Sequence, residues 1–102
     1  MNSIMVSMKN YRTAFSQKVW EVVCVIPKGK VMTYAMVAKL AGFPGAARAV
    51  GTLMSKNFDL KRPCHRVVRS DGQIGQYNRG EKKKLELLRK EGVVIEQGRV
   101  VL

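Results

Sequence analysis

Glycine and proline cut the middle of this chain into helices too short to stand alone. Thr33 is a suitable N-cap, and Tyr34 to Leu40 reads as a short helix. Gly42 ends it, and Pro44-Gly45 turns the chain into a third helix through Ala46-Ala47-Arg48-Ala49-Val50-Gly51-Thr52-Leu53-Met54. Two short helices about a glycine turn read as helix-turn-helix, which must bury its apolar face against something else in the chain. The small residues Ala46, Ala47, Ala49 and Gly51 fit two explanations equally, close helix packing and close approach of a bulky partner.

The supporting elements lie on either side. From Ala14 the apolar positions Phe15, Val19, Val22, Val23 and Ile26 follow the helical period. Pro27 stops this first helix, and Lys28-Gly29-Lys30 makes a turn. Cys24, inside the run Val22 to Ile26, is expected to be buried. Residues 1–12 read as a short arm before a single domain over 13–102, and Met1, Met5 and Met8 leave the true start open. After Asn57 comes a loop, then an extended segment from Pro63 to Val68 and a hairpin-type turn at Ser70-Asp71-Gly72. Gln73 to Tyr77 continues as strand or loop. Glu81 to Glu91 reads as a helix, with Leu85 and Leu88 on one face; Lys82, Lys83 and Lys84 early in it oppose the helix dipole, which fits an anionic partner nearby or, more commonly, a solvated charged face. Gly92 closes it, and Val93-Val94-Ile95 and Val100-Val101-Leu102 flank Gln97-Gly98 as a terminal hairpin. The expected class is α+β, mostly helical: a winged-helix-like DNA-binding domain with helix-turn-helix and short β-hairpins.

Charge narrows the partners. The 102 residues carry 19 Lys and Arg against 7 acids, a formal net charge of +12, which favours a polyanion and nucleic acid first. No run of about 18 apolar residues exists, so no membrane span or membrane partner is expected. The N-terminus lacks the layout of a signal peptide, which points to the cytoplasm. Two cysteines make no disulfide framework, and a single histidine makes a metal site improbable.

The chemistry is concentrated in Pro63-Cys64-His65-Arg66-Val67. A thiol is nucleophilic as a thiolate, which an imidazole and nearby guanidinium groups favour. Arg62 and Arg66 supply that positive field in sequence. On an extended strand, adjacent side chains point to opposite faces, so a water bridge between Cys64 and His65 is expected rather than a direct bond. The pair alone leaves two readings open: a nucleophile with its base, or a buried small thiol beside a structural histidine.

Five blocks in order resolve part of this. They are Gly29-Lys30-Val31-Met32-Thr33-Tyr34, Ala46 to Gly51, Pro63 to Val68, Gly72 to Tyr77, and Leu87-Leu88-Arg89-Lys90-Glu91-Gly92. Together, from about Phe15 to Gly92, the chain resembles the C-terminal catalytic domain of the 6-O-alkylguanine-DNA alkyltransferases, direct-reversal DNA repair proteins. The resemblance implies that Cys64 accepts the alkyl group irreversibly, with His65 as water-linked base and Glu91 orienting it. It implies that Tyr34 assists base rotation and donates to the purine, and that Arg48 is the finger that fills the gap left by a flipped guanine. Thr33, Ala47, Gly51 and Arg66 are expected at the DNA with Tyr34 and Arg48. Asn57, Pro63, Val68, Tyr77, Asn78 and Arg79 are expected around the pocket, with Asn57 holding the turn. The physics agrees, since chemistry on a stacked base requires extrusion and an arginine both stacks and hydrogen-bonds.

The resemblance implies no cofactor, a monomer, and double-stranded DNA with alkylated guanine as partner. There are departures. The usual N-terminal domain is replaced by a short arm, the Asn57 to Arg62 loop is a residue shorter, and a large Arg79 stands where many relatives have a small residue, against bulky adducts. Missing N-terminal domains are typical of alkyltransferase-like proteins, which bind lesions without transfer and pass them to excision-repair proteins. Cys64, His65 and Glu91 favour a minimal active transferase that turns over once. The other readings are the lesion-binding module and a winged-helix regulator with a structural Cys64.

Overall fold

The structure is a computed structural model that describes residues 3–102, with side chains described from Ala14 onward. Helix α1 spans Ser3–Cys24. The segment 3–12, expected as an arm, is therefore part of α1; Met1 lies outside the described residues. Val19, Val23 and Ile26 form the buried stripe of the first helical segment and its exit. Cys24 is exposed, contrary to expectation. It lies one residue, roughly 100° of helix, round from Val23, and the stripe has already taken the inward face.

Strand β1, Met32–Thr33, leads directly into α2, Tyr34–Leu40, and α3 follows at Ala47–Ser55. Thr33 caps α2 as expected, its Oγ1 accepting from Met36 N at 3.1 Å. Val37 and Ala38 of α2 and Val50 and Met54 of α3 are buried against α1 in one core, which also contains Cys64 and Val67. Phe15 closes its edge through an edge-on contact with Phe43, centroids 5.1 Å apart.

Pro63 to Val68 is not continuously extended. Cys64–Arg66 forms a 3-10 turn, closed by Arg66 N donating to Pro63 O at 3.0 Å, and only Val67–Val68 is strand, β2. The fixed φ of Pro63, −78°, starts the turn. Strand β2 pairs in parallel with β1, Met32 opposite Val67 and Thr33 opposite Val68. Helix α4, Glu81–Lys90, and the hairpin of β3, Ile95–Glu96, with β4, Arg99–Val100, complete the chain. Val68, Ile74, Leu88 and Val100 make a second core beneath that hairpin.

The turn at Ser70-Asp71-Gly72 is present, with Arg69 N donating to Gln73 O at 3.0 Å. Gln73 adds an isolated bridge to Arg99, and the rest of Gln73 to Tyr77 is irregular. Gly72 is required there: its φ is +86° and a Cβ would meet Val100 O at 2.7 Å. The architecture is α+β and mostly helical, with the helix-turn-helix expected from sequence.

The two leucines at the extremes of burial test this account. Leu88 is fully buried and Leu60 is 77% exposed. Leu88→Ala should lower urea-denaturation stability by roughly 2–5 kcal/mol, through lost transfer energy and a residual cavity. Leu60→Ala should change it by no more than about 0.5 kcal/mol. Equal effects would contradict a second core centred on Leu88.

Candidate active site and nucleic-acid groove

Cys64 opens the 3-10 turn and is buried, 5% exposed. Its environment is built first by Asn57, itself buried. Asn57 Nδ2 lies 3.3 Å from Cys64 Sγ, 3.2 Å from Asp59 O and 3.3 Å from Arg62 O, while Oδ1 accepts from Asp59 N at 3.1 Å. One amide thus shapes the loop and aims an N–H at the sulfur, where negative charge would develop. Asn78 Nδ2 donates to the Asn57 carbonyl, and Arg79 reaches Phe58 O at 3.3 Å and Tyr77 Oη at 3.4 Å. The segment from Tyr77 to Arg79 therefore braces the loop before Cys64. Pro63 is buried beside the thiol, and Tyr77 packs on the same core.

On one side of the turn stands His65. A 3-10 turn spaces successive side chains by about 120° rather than the 180° of a strand. His65 Nε2 comes within 3.1 Å of Glu91 Oε2. The approach is close but poorly directed, so Nε2 has no aligned hydrogen-bond partner. Glu91 is the C-cap of α4. Its carboxyl is held down at about 2, first by hydrogen bonds from Arg66 and to a smaller degree by His65. Arg66 was expected at DNA, but it turns inward. It pairs with Glu91 at 2.7 Å and donates to Ile26 O at 2.8 Å, because a carboxylate at a buried helix end requires a cation.

Tyr34 comes from the opposite side, as the first residue of α2. Its hydroxyl meets Lys84 Nζ at 3.4 Å, and Lys84 also donates to Val67 O at 2.7 Å. Lys84 is fully buried. Burial brings its pKa down to about 8, against the opposing influence of Cys64 and Glu81. Burial, and then the nearby Cys64, push the Tyr34 phenol up. The ammonium donates to the phenol oxygen, which leaves the phenol proton free for an acceptor in front of it. Sequence reasoning read Lys84 as part of a solvated charged face. Its i,i+4 spacing from Leu88 was the signal that it lies on the inward stripe.

An open groove of about 1020 Å³ lies in front of Tyr34. Ala47, Arg48, Gly51, Thr52 and Ser55 of the helix-turn-helix line it, together with Arg69, Ser70, Asp71, Gln73 and Gly75 to Tyr77. Arg48 is exposed, as a residue that reaches into a partner must be. A Cβ at Gly51 would stand 4.0 Å from the Tyr34 ring, an ordinary contact, so packing against Tyr34 does not by itself require its small size. Thr33 and Val68 sit behind, paired across β1 and β2, Thr33 spending its hydroxyl on the cap. Val68 is fully buried in the second core and so supports the pocket from beneath. Arg62 stacks 4.6 Å over Trp20 of α1, which directs its charge along α1.

The family described as 6-O-methylguanine DNA methyltransferase, DNA binding domain, matches residues 14–93. The chain belongs to this family. It is 46% identical over 85 residues to the methylated-DNA--protein-cysteine methyltransferase of Methanothermobacter thermautotrophicus, covering 82% of this chain and 47% of that protein. It is 44% identical over 80 residues to the Mycobacterium leprae protein of the same name, covering 78% and 48%. The chain thus spans about half the length of these relatives. Among solved structures, S. pombe Atl1 in complex with damaged DNA containing O6-carboxymethylguanine superposes with a TM-score of 0.76 at 39% identity, over 86% of this chain and 87% of that one. Mycobacterium tuberculosis OGT in complex with DNA gives 0.72 at 40% identity, over 76% and 48%. These alkyltransferase relatives share the α+β fold described above. No helix among the described residues is long and apolar enough to cross a membrane.

Lys84 makes a pH prediction for this alkyltransferase-family fold. Its folded pKa, about 8, lies below the ordinary 10.5. Between those values the unfolded chain holds more protons at this site, so its contribution to stability rises with pH, by up to roughly 1.4 kcal/mol per unit. The raised Tyr34 phenol opposes this once pH passes its ordinary value of 10.0. Urea denaturation between pH 8 and 10 should therefore show a steeper rise for the native protein than for Lys84→Met. Parallel curves would contradict the buried ammonium.

Proposed function

We propose that this protein repairs DNA by direct reversal, binding double-stranded DNA with a 6-O-methylguanine and moving the methyl group irreversibly onto Cys64. The observation that carries the reading is the placement of Cys64 between two groups of opposite tendency. His65 and Glu91 stand on one side, and Tyr34 with Lys84 on the other. Cys64 and His65 share the 3-10 turn, Glu91 contacts His65, and Tyr34 is close enough for Cys64 to raise its phenol. Pairs of titratable groups driven apart by their surroundings mark acid and base roles.

In this reading the thiol proton goes to His65, and Glu91 offsets the imidazolium charge. The sulfur attacks the methyl carbon, the carbon–oxygen bond to the guanine breaks, and the electron pair stays with the base. Tyr34 donates its proton to the purine, polarised by Lys84 behind it. The Asn57 N–H supports the sulfur as it gains charge. An S-methyl thioether is a stable product that does not give its methyl back, so one molecule repairs one lesion. The groove takes duplex DNA, Arg48 fills the stack once the base is extruded, and the +12 charge supplies phosphate affinity. The expected cellular site is the cytoplasm, at the nucleoid in a prokaryote.

Incubation with a duplex oligonucleotide carrying 6-O-methylguanine, followed by intact-mass and peptide mass spectrometry, tests the reading. Wild type should gain one methyl, on Cys64, and then stop. Cys64→Ala should gain none and retain the methylated duplex as a persistent complex. Retention by wild type without methyl gain would support the second reading, lesion binding that passes damage to excision-repair proteins. The likeness to Atl1, solved in complex with damaged DNA, is the observation that favours that alternative.

Arg48→Ala separates flipping from binding. Transfer from a methylated duplex should fall well below wild type, while affinity for undamaged duplex falls little, because phosphate contacts carry most of it. Transfer from free 6-O-methylguanine should be unchanged. Equal loss on duplex and free base would rule out a role in extrusion.

A further inference from the structure

Arg66 uses all three faces of its guanidinium inside the protein. Nε donates to Glu91 Oε1 at 2.9 Å, Nη2 to Glu91 Oε2 at 2.7 Å, and Nη1 to Ile26 O at 2.8 Å. The side chain is 17% exposed and Glu91 12%. It therefore ties the exit of α1, the Cys64 turn and the end of α4 at one carboxylate. Gly29 backs the same place, its Cβ position lying 3.0 Å from the Glu91 carbonyl.

Glu91 needs such a tie. It sits at the C-terminal end of α4, where the helix dipole and the free carbonyls repel a negative charge. Left alone, a carboxylate there would swing toward water. His65 is too weak a holder, since its contact with Oε2 is longer, 3.1 Å, and poorly directed. The bidentate fork is shorter and fixes both oxygens in one plane. A lysine could supply the charge, but its single nitrogen lacks the planar fork that meets both carboxylate oxygens in parallel while a third N–H reaches the Ile26 carbonyl.

We propose that Arg66 is a positioning residue: it holds the Glu91 carboxylate against His65 and thereby sets the base that takes the Cys64 proton. The inference rests on the transfer reading above, but it concerns proton removal from the thiol and is testable without DNA. In the test reaction Cys64 sulfur displaces iodide from methyl iodide, the sulfur–carbon bond forms, and the thiol proton passes to His65.

The experiment uses the full chain with Cys24→Ser, which leaves Cys64 as its one cysteine. Methylation of Cys64 by methyl iodide is followed by peptide mass spectrometry, which separates it from methylation of methionine, histidine or lysine, for the parent, Arg66→Ala, Arg66→Lys, Glu91→Gln and the Arg66→Ala/Glu91→Gln double variant. Arg66→Ala should slow the reaction roughly tenfold or more, a share of the roughly 10²–10⁴-fold that a positioned base contributes. Glu91→Gln should slow it similarly. In the Glu91→Gln background, Arg66→Ala should cost less than about twofold more, because the two act through one carboxylate. Equal factors in both backgrounds would overturn the proposal and leave Arg66 a general structural brace. If Arg66→Ala fails to fold, Arg66→Lys decides: a rate several-fold below the parent supports the fork, and a parental rate overturns it. A parallel arm with methylated duplex keeps the two readings apart. No methyl transfer from DNA by the parent, with the methyl iodide pattern intact, removes the repair function alone. Full DNA transfer by a folded Arg66→Ala removes the positioning role alone.

Discussion

Two residues of parallel ladder hold this protein's chemistry together. Met32-Thr33 pairs with Val67-Val68, across a connection that contains the whole helix-turn-helix. Parallel strands need a long crossover, and α2 and α3 provide it. The consequence is geometric. Tyr34 leaves one strand at the start of α2, while Cys64 and His65 enter the other through the 3-10 turn. A short register therefore brings the groove-forming half and the thiol-bearing half face to face. A slip of one residue would send Thr33 and Val68 to the opposite faces and separate Tyr34 from the turn.

The same junction explains why a lysine is buried without a carboxylate in hydrogen-bond contact. Lys84 reaches the Val67 carbonyl at 2.7 Å, a group that the short ladder leaves within its reach. Bringing an ammonium down to about 8 from 10.5 corresponds to roughly 3 kcal/mol against the charged form. Hydrogen bonds to a charged group return roughly 1.5–3 kcal/mol each, but only where geometry is good, and the contacts to Gln76 O and Tyr34 Oη are both 3.4 Å. A methionine would fill that volume without the penalty. Under the proposed transfer its use would be at Tyr34, whose phenol oxygen its ammonium faces at 3.4 Å.

Much of this was legible in the residues. Thr33 as a cap, the helix boundaries at Gly42 and Gly92, and the turn at Gln97-Gly98 follow from local chemistry, and local chemistry decided them. The departures have different causes, and only one of them is a contact from far along the chain. Arg66 looked like a nucleic-acid contact because its neighbours are basic, yet Glu91 lies 25 residues away and claims it. Lys84 sat in a run of three lysines, and only its register with Leu88 separated it from the others. Cys24 lay in an apolar run, but the run exceeds the width of the stripe that α1 can bury. The thiol and its histidine were plain from their adjacency; the Asn57 amide on the sulfur, seven residues upstream, was not.

The placement of charge then bears on whether such a fold transfers an alkyl group or only binds a lesion. Groove, helix-turn-helix and arginine would serve either outcome, since extrusion of a base needs only a place to put it and something to fill its stack. Transfer adds two demands, a proton leaving the sulfur and a proton arriving at the purine. The two fall on different atoms, the sulfur and the purine, so a group placed at each meets them without a proton having to travel between them. Here the Glu91 carboxyl is held at about 2, first by the partly exposed Arg66, while burial and then Cys64 push the Tyr34 phenol upward beside the buried Lys84. Lesion binding alone does not call for both arrangements beside a thiol. Their joint presence, rather than Cys64 by itself, is the argument that the proposed chemistry is transfer.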